Sequence, residues 1–426
     1  MADCPFNSAS ETIADFIYRY GSQQQFPGDS EDILCMDFVS TDFSIIYTQL
    51  DTVKPISLSK FTYYSIPGLY TLLDSSSMEA SGILATHASP ALSNRGRGVI
   101  IGIIDTGIDY TNPLFRNQDG TTRIISIWDQ SLPDDKSILP AGVPNRYNAS
   151  GATYGTEYTR EQINEALESD APLTLVPSTD TNGHGTFLAG IAAGGVLPEQ
   201  DFTGAAPECE LVIVKLKPAK QYLRDFYLVS SDADAYQEND IMMGIKYLRV
   251  EAFSQRKPLV ILLGIGSNLG SHEGTSPLNV MIQDISRNLG MATVIAAGNE
   301  TGRGHHYMGS IPMGESSIDV EIRVGNPESQ RGFVVELWAA TADTYSVGFI
   351  SPSGESIGRI PIIGRNETSI PFLLEPTVIT VNYQLIETGA GKQLVFIRFE
   401  APTKGIWKIR VYNTQYLTGQ FNMWLP

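Results

Sequence analysis

At 426 residues, the chain is too long for one ordinary domain and points to two or three. Its 42% hydrophobic and 18% charged residues fit a soluble globular protein with a sizeable core. With 29 basic against 47 acidic residues the net charge is -18, which argues against nucleic acid and anionic membrane surfaces as partners, since both need a basic patch.

The N-terminus, Met1-Ala2-Asp3-Cys4-Pro5, has no basic segment followed by an apolar run, so no secretory signal is expected. No window of about 18 apolar residues is available to span a membrane. Cys4, Cys35 and Cys209 are odd in number and lack metal-ligand spacing, which argues against a disulfide framework. Residues 1–92 are mixed and mostly polar, with short apolar stretches such as Phe43-Ser44-Ile45-Ile46-Tyr47, and lead into Arg95-Gly96-Arg97-Gly98.

From about 98 to 305, β-branched runs alternate with helical patterns. Val99–Ile104, Leu211–Val214, Leu259–Leu263 and Thr293–Ala296 read as buried strands, and Asp240–Phe253 and Leu278–Leu289 read as helices between them. Continuous apolar strands spaced by helices imply a parallel sheet covered on both faces. After about 310 the helical patterns stop. Alternating strands follow at Ile318–Ile322, Phe333–Leu337, Tyr345–Phe349, Val378–Asn382, Leu394–Arg398 and Trp407–Val411, with turns such as Ser351-Pro352-Ser353-Gly354 between them. Strands at this spacing predict a β-sandwich or jelly roll.

Three motifs carry chemistry. In Ile103-Ile104-Asp105-Thr106-Gly107 an apolar strand runs into an aspartate at its C-terminal end, where parallel sheets place functional groups. In Asn182-Gly183-His184-Gly185-Thr186-Phe187-Leu188-Ala189-Gly190 two glycines frame a histidine just before a small-residue helix. They let that helix start close to neighbouring backbone and keep the imidazole accessible. In Ile295-Ala296-Ala297-Gly298-Asn299 a strand ends in small residues that leave room for a substrate side chain. The amide that follows can donate to a developing oxyanion. Each motif also has a plain structural reading: a turn aspartate, a packed core histidine, a Gly-Asn turn.

Together the motifs resemble the subtilase family, whose chain order is aspartate, histidine, oxyanion asparagine, serine. The resemblance implies a subtilisin-like α/β fold and a serine endopeptidase acting on protein or peptide substrates without a cofactor. Its site would hold Asp105 orienting His184, His184 as general base, and Asn299 in the oxyanion hole. Gly264-Ile265-Gly266 matches the family's substrate-pairing segment, commonly Ser-Leu-Gly, with Ala296-Ala297-Gly298 as the facing substrate wall. Ser65-Ile66-Pro67-Gly68-Leu69-Tyr70-Thr71-Leu72-Leu73-Asp74, Glu79-Ala80-Ser81-Gly82-Ile83 and Ser267-Asn268-Leu269-Gly270-Ser271-His272 look like the clostridial germination-protease branch. That branch implies an α+β prodomain at 1–92, bound in cis and removed near 84–97. It further implies a catalytic domain at 93–308, an all-β jelly-roll insert at 309–426, and a cytoplasmic or spore-associated place in a bacterium.

The family's nucleophile lies in Gly-Thr-Ser before a small residue. Here Gly274-Thr275-Ser276 is followed by Pro277 and precedes Asn299, so Ser276 reads as a helix N-cap. The serine is therefore expected outside these 426 residues. Two readings stay open: a piece of an active protease, and a pseudoprotease that binds or regulates a partner. A third makes the β-rich part a carbohydrate- or protein-binding module, although Trp338, Trp407 and Trp424 are of a kind more often found in cores. His305 and His306 near Asp180 or Asp319 could suggest a metal, but none is assigned, because adjacent residues on a strand point apart.

Overall fold

The computed structural model describes residues 7–21, 33–72, 94–133, 154–196, 202–325, 331–340, 342–363, 367–387 and 389–426. The predicted parallel sheet forms around β5 (Ile100–Asp105), with β6 (Ile124–Asp129), β8 (Glu210–Lys215), β10 (Leu259–Leu263) and β12 (Met291–Ile295). Strand order is β12-β10-β5-β8-β6-β7, and only the pairing of β6 with β7 (Thr156–Thr159) is antiparallel.

The two-residue period of the strands divides their apolar side chains between two cores. Ile101, Ile103, Leu211 and Ile213 face Ile163 and Ala166 of α1 (Arg160–Glu168) and Ala189 and Ala193 of α2 (His184–Ala193). Ile100, Ile104, Val212 and Val214 face the other way. They pack with Ile241, Met242 and Ile245 of α4 (Glu238–Gln255) and Leu278, Met281 and Ile285 of α5 (Pro277–Ser286). A shorter helix, α3 (Gln221–Tyr227), precedes the two-residue strand β9 (Tyr236–Gln237).

Before this sheet, β1 (Ile13–Arg19), β2 (Ile33–Phe38) and β3 (Phe43–Gln49) form an antiparallel sheet in the order β1-β3-β2. Ile13, Ile17, Ile45 and Tyr47 join the core that α4 closes, so this sheet covers the outside of that helix. A single helical turn, Leu50–Val53, follows it. β4 (Leu69–Leu72) then leaves the N-terminal unit and lies between β9 and β11 (Ile265–Gly266).

After α5 and β12 the described residues form two antiparallel sheets. One holds β13 (His306–Ser310), β22 (Gln420–Trp424), β15 (Gly332–Ala339), β20 (Leu394–Glu400), β19 (Val378–Gln384) and β18 (Glu367–Pro371), in that order. The other holds β14 (Ser317–Val324), β21 (Gly405–Gln415), β16 (Thr344–Ile350) and β17 (Ser356–Ile357). Val335, Leu337, Ile397 and Phe399 meet Val320, Val347, Trp407 and Ile409 between them, as sandwich alternation requires. The opposite face of β15 and β20, with Val334, Trp338 and Phe396, packs on Tyr63, Tyr64, Phe226 and Tyr227. The N-terminal unit, α3 and the sandwich thus share one core.

Three expectations are corrected. Thr293–Ala296 is not a buried strand: among the described residues β12 pairs only with β10, at the sheet edge, and Val294 and Ile295 are each 52% exposed. The helix from Leu278 stops at Ser286 rather than Leu289, where Asn288 Nδ2 turns back onto the carbonyls of Asp284 and Ile285, both at 3.2 Å. Cys35 is disulfide-bonded, against the expectation of a chain without bridges, while Cys209 is free and buried.

Candidate active site

Asp105 ends β5 with its carboxylate buried. Its Oδ1 accepts from the Thr106 amide at 2.8 Å and from His184 Nδ1 at 2.7 Å. A carboxylate only accepts, so Nδ1 carries the proton and the neutral ring keeps its lone pair on Nε2. The His184 side chain stays 15% exposed against 1% for Asp105. A buried anion behind an accessible imidazole is the arrangement of a general base and its orienting group.

The glycine frame has a steric cause. Gly183 caps α2 at φ +89°, a left-handed conformation that costs other residues energy. A Cβ on Gly185 would sit 2.3 Å from the Gly107 carbonyl oxygen, so only glycine lets the helix start against the turn after Asp105.

Asp180 fastens the same turn. Its Oδ1 accepts from Thr106 Oγ1 (2.8 Å) and the Gly183 amide (2.9 Å), and its Oδ2 accepts from the amide and hydroxyl of Thr186 (2.8 and 2.7 Å). Burial pushes its pKa up, but these bonds outweigh it and hold the carboxyl below its ordinary value. Thr106 Oγ1 in turn accepts from the Gly185 amide at 2.9 Å. Sequence reading weighed Asp180 only as a metal neighbour and missed this role. Its signal was an acidic residue four positions before His184, able to reach the first amides of a helix.

Gly264, a departure from the commoner serine, lies beside the pair. A Cβ there would come 2.1 Å from Leu188 Cδ1, 3.1 Å from Asp105 Oδ2 and 3.3 Å from His184 Cε1. Leu188 fills the space a side chain at 264 would need. Among the described residues, Asp105 Oδ2, facing this wall, is buried without a hydrogen-bond partner.

Next to the pair is a cavity of about 680 Å³ lined by Ile265, Gly266, Ala296, Ala297 and Gly298, all expected substrate-binding residues. Asn299 follows the lining as an exposed residue. The chain's own β4 lies along this cleft, antiparallel to β11 (Ile265 with Leu72, Gly266 with Thr71) and to β9 (Leu69 with Gln237, Tyr70 with Tyr236). Sequence reading missed Tyr236 and Gln237 as the strand that pairs with β4, because a two-residue strand shows no periodicity. Ser276 accepts from the Asn279 amide at 3.2 Å as the N-cap of α5, and its side chain also hydrogen-bonds Tyr70. His305 pairs with Glu300, while Asp319 is held by Arg410 at 2.6 and 2.8 Å, so neither carboxylate weighed with the histidines meets them.

Glu238 closes the cleft floor, accepting from the amides of Gly68 (3.2 Å) and Leu278 (3.1 Å). Burial pushes its pKa up to about 7, against the pull of those amides. A folded-state pKa above the unfolded value gives stability that is present at low pH and lost as pH rises through about 7. In denaturant titrations, the stability of the wild type relative to Glu238→Gln should therefore decline by up to about 3 kcal/mol between roughly pH 4.5 and 7. A difference that is flat with pH contradicts this.

The chain also resembles known proteins in sequence and fold. Residues 96–355 match the subtilase family, a span that starts before β5 and runs into the β-rich region. The chain is 24% identical over 341 residues to a PII-type proteinase of Lacticaseibacillus paracasei, covering 78% of this chain and 16% of that protein. It is 31% identical over 148 residues to the subtilisin-like protease SBT1.9 of Arabidopsis thaliana, covering 32% of this chain and 18% of that one. The solved structure of the Clostridium perfringens CspB protease superposes with a TM-score of 0.66 at 28% identity, over 81% of this chain and 66% of that one. The chain thus spans less than a fifth of these two curated relatives' length. With more than half of its residues inside the family match, and an aspartate–histidine pair on the strand and helix described above, the chain belongs to the subtilase family.

Proposed function

We propose that this chain carries the base, the orienting carboxylate and the oxyanion donor of a serine endopeptidase, and that the nucleophilic serine comes from a segment outside these 426 residues. The observation that carries the reading is the 2.7 Å bond from His184 Nδ1 to buried Asp105, beside a cleft that holds an extended peptide segment by strand pairing. In this mechanism His184 Nε2 removes the proton of the serine hydroxyl as it attacks the scissile carbonyl, and later returns it to the leaving amine. Asp105 stabilises the imidazolium, and the Asn299 amide donates to the oxyanion.

Residues 1–92 act as a prodomain, with β4 sitting where substrate would pair. A cut near 84–97 falls mostly outside the described residues. The β-sandwich is an insert that completes the cleft rim. Half-exposed Val294 and Ile295 on the edge strand β12 favour a further segment packing there.

Incubated with peptide substrates, the chain alone should hydrolyse no faster than a blank, since no acyl-enzyme forms without the nucleophile. Supplied with the serine-bearing segment, covalently or as a second chain, it should gain activity that a serine-directed organophosphonate blocks. A folded, completed protein that stays inert would establish the pseudoprotease reading instead. Activity of the chain alone that Ser276→Ala removes would make Ser276 the nucleophile.

A further inference from the structure

The loop Ser267–Ser276, between β11 and α5, forms one rim of the cleft. Among the described residues, side chains of the N-terminal unit and the β-sandwich converge on it. Tyr64 Oη meets Ser271 Oγ at 3.1 Å and Thr275 Oγ1 at 3.2 Å. Lys392 pairs with Glu273, and His272 stacks on Trp424 at 3.7 Å between centroids. Leu269 packs on the core that Tyr63 and Trp338 share.

At the centre of this grip is Glu336 of β15, fully buried. One oxygen accepts from Tyr63 Oη at 2.5 Å. The other accepts from the Gly270 amide at 2.8 Å and from Trp338 Nε1 at 2.9 Å. The three donors come from the N-terminal unit, the cleft loop and the sandwich. The Gly270 amide and Trp338 Nε1 can only donate, so the oxygen they share must be an acceptor, which an apolar side chain cannot supply.

We propose that Glu336 is a positioning residue for substrate binding, holding the 267–276 rim in place by tying Gly270 to the sandwich and to Tyr63. The proposal rests on the reading of this cleft as a peptide-binding cleft. It means the sandwich takes part in cleft geometry through a group that never touches the reacting atoms. It also gives a buried carboxylate far along the chain from Asp105 and His184 a task that core packing does not provide.

Hydrogen exchange on the chain as it stands tests the tether without any need for hydrolysis. In Glu336→Met, exchange across 267–276 should quicken about ten-fold or more, the scale of leaving a buried donor unpaired, with β5, β10 and the β14–β21 ladder unchanged. Tyr63→Phe removes one partner and should quicken the same loop by a smaller factor, and it decides the matter if Glu336→Met does not fold. Unaltered exchange at 267–276 in a folded variant overturns the proposal. Where the serine-bearing segment restores hydrolysis, Glu336→Met should raise KM about ten-fold and leave kcat within about two-fold. A quickened loop with an unmoved KM overturns the substrate-positioning role. A completed enzyme that is inert in the wild type sinks the protease reading, while the exchange result still decides whether Glu336 holds the rim.

Discussion

Once the serine is supplied, His184→Ala should lower turnover by on the order of 10⁶-fold, leaving only what binding and the oxyanion donor provide. Asp105→Ala should cost on the order of 10⁴-fold, because nothing then fixes the imidazole or balances its positive charge. Asp105→Asn should cost at least about ten-fold less than Asp105→Ala, for a reason particular to this chain. The Thr106 amide and His184 Nδ1 both use Oδ1, and among the described residues Oδ2 has no hydrogen-bond partner. An asparagine can place its amide oxygen at Oδ1 and its NH2 at Oδ2, so the productive tautomer survives and only the charge is lost. Where both carboxylate oxygens are engaged, the same replacement forces the wrong tautomer and costs about 10⁴-fold. Single-turnover acylation rates of the three variants check the order. Equal rates for Asp105→Asn and Asp105→Ala would show that the tautomer does not survive.

The elements that carry this site were legible because they are local. An unbroken apolar run into Asp105 announces a parallel strand and its functional end, and glycines around His184 announce a helix start pressed against backbone. The strands of the sandwich follow directly from their two-residue period. What stayed hidden depends on partners distant in the chain. Tyr236–Gln237 becomes a strand only because β4 lies beside it, and Asp180 matters only once Thr106 is folded against it. The exposure of β12 was unreadable for the same reason: the run Met291–Ile295 is apolar enough for a central strand, and its neighbours decide its burial. The exchange of space between Gly264 and Leu188 lies in two motifs that the sequence presents as independent.

Lys220→Met should destabilise the chain by about 3–5 kcal/mol, the cost of stranding a buried charge. Lys220 Nζ donates to Asp15 Oδ1 at 2.7 Å and to the carbonyls of Ser8 at 2.7 Å and Ile13 at 3.0 Å, and both charged side chains are about 1% exposed. Burial pushes the lysine pKa down, and Asp15 pulls it back up. Asp15 Oδ2 accepts from Gln237 Nε2 at 2.9 Å and Asn239 Nδ2 at 3.3 Å, so the pair joins β1 to the strand that also holds β4. Methionine fills much of the volume but leaves the carboxylate and two carbonyls short of a donor. Replacing both charges, as Asp15→Leu with Lys220→Met, should recover part of the loss, since no ion is then buried. It cannot recover all of it, because those carbonyls each lose a donor and the two amides each lose an acceptor. Because the pair is dry, the deficit should persist at high salt, whereas exposed pairs such as Lys54 with Asp51 are screened. Urea titrations at low and high ionic strength measure this. A Lys220→Met chain within about 0.5 kcal/mol of wild type, the range of a neutral surface change, would mean that the pair does not anchor the N-terminal unit.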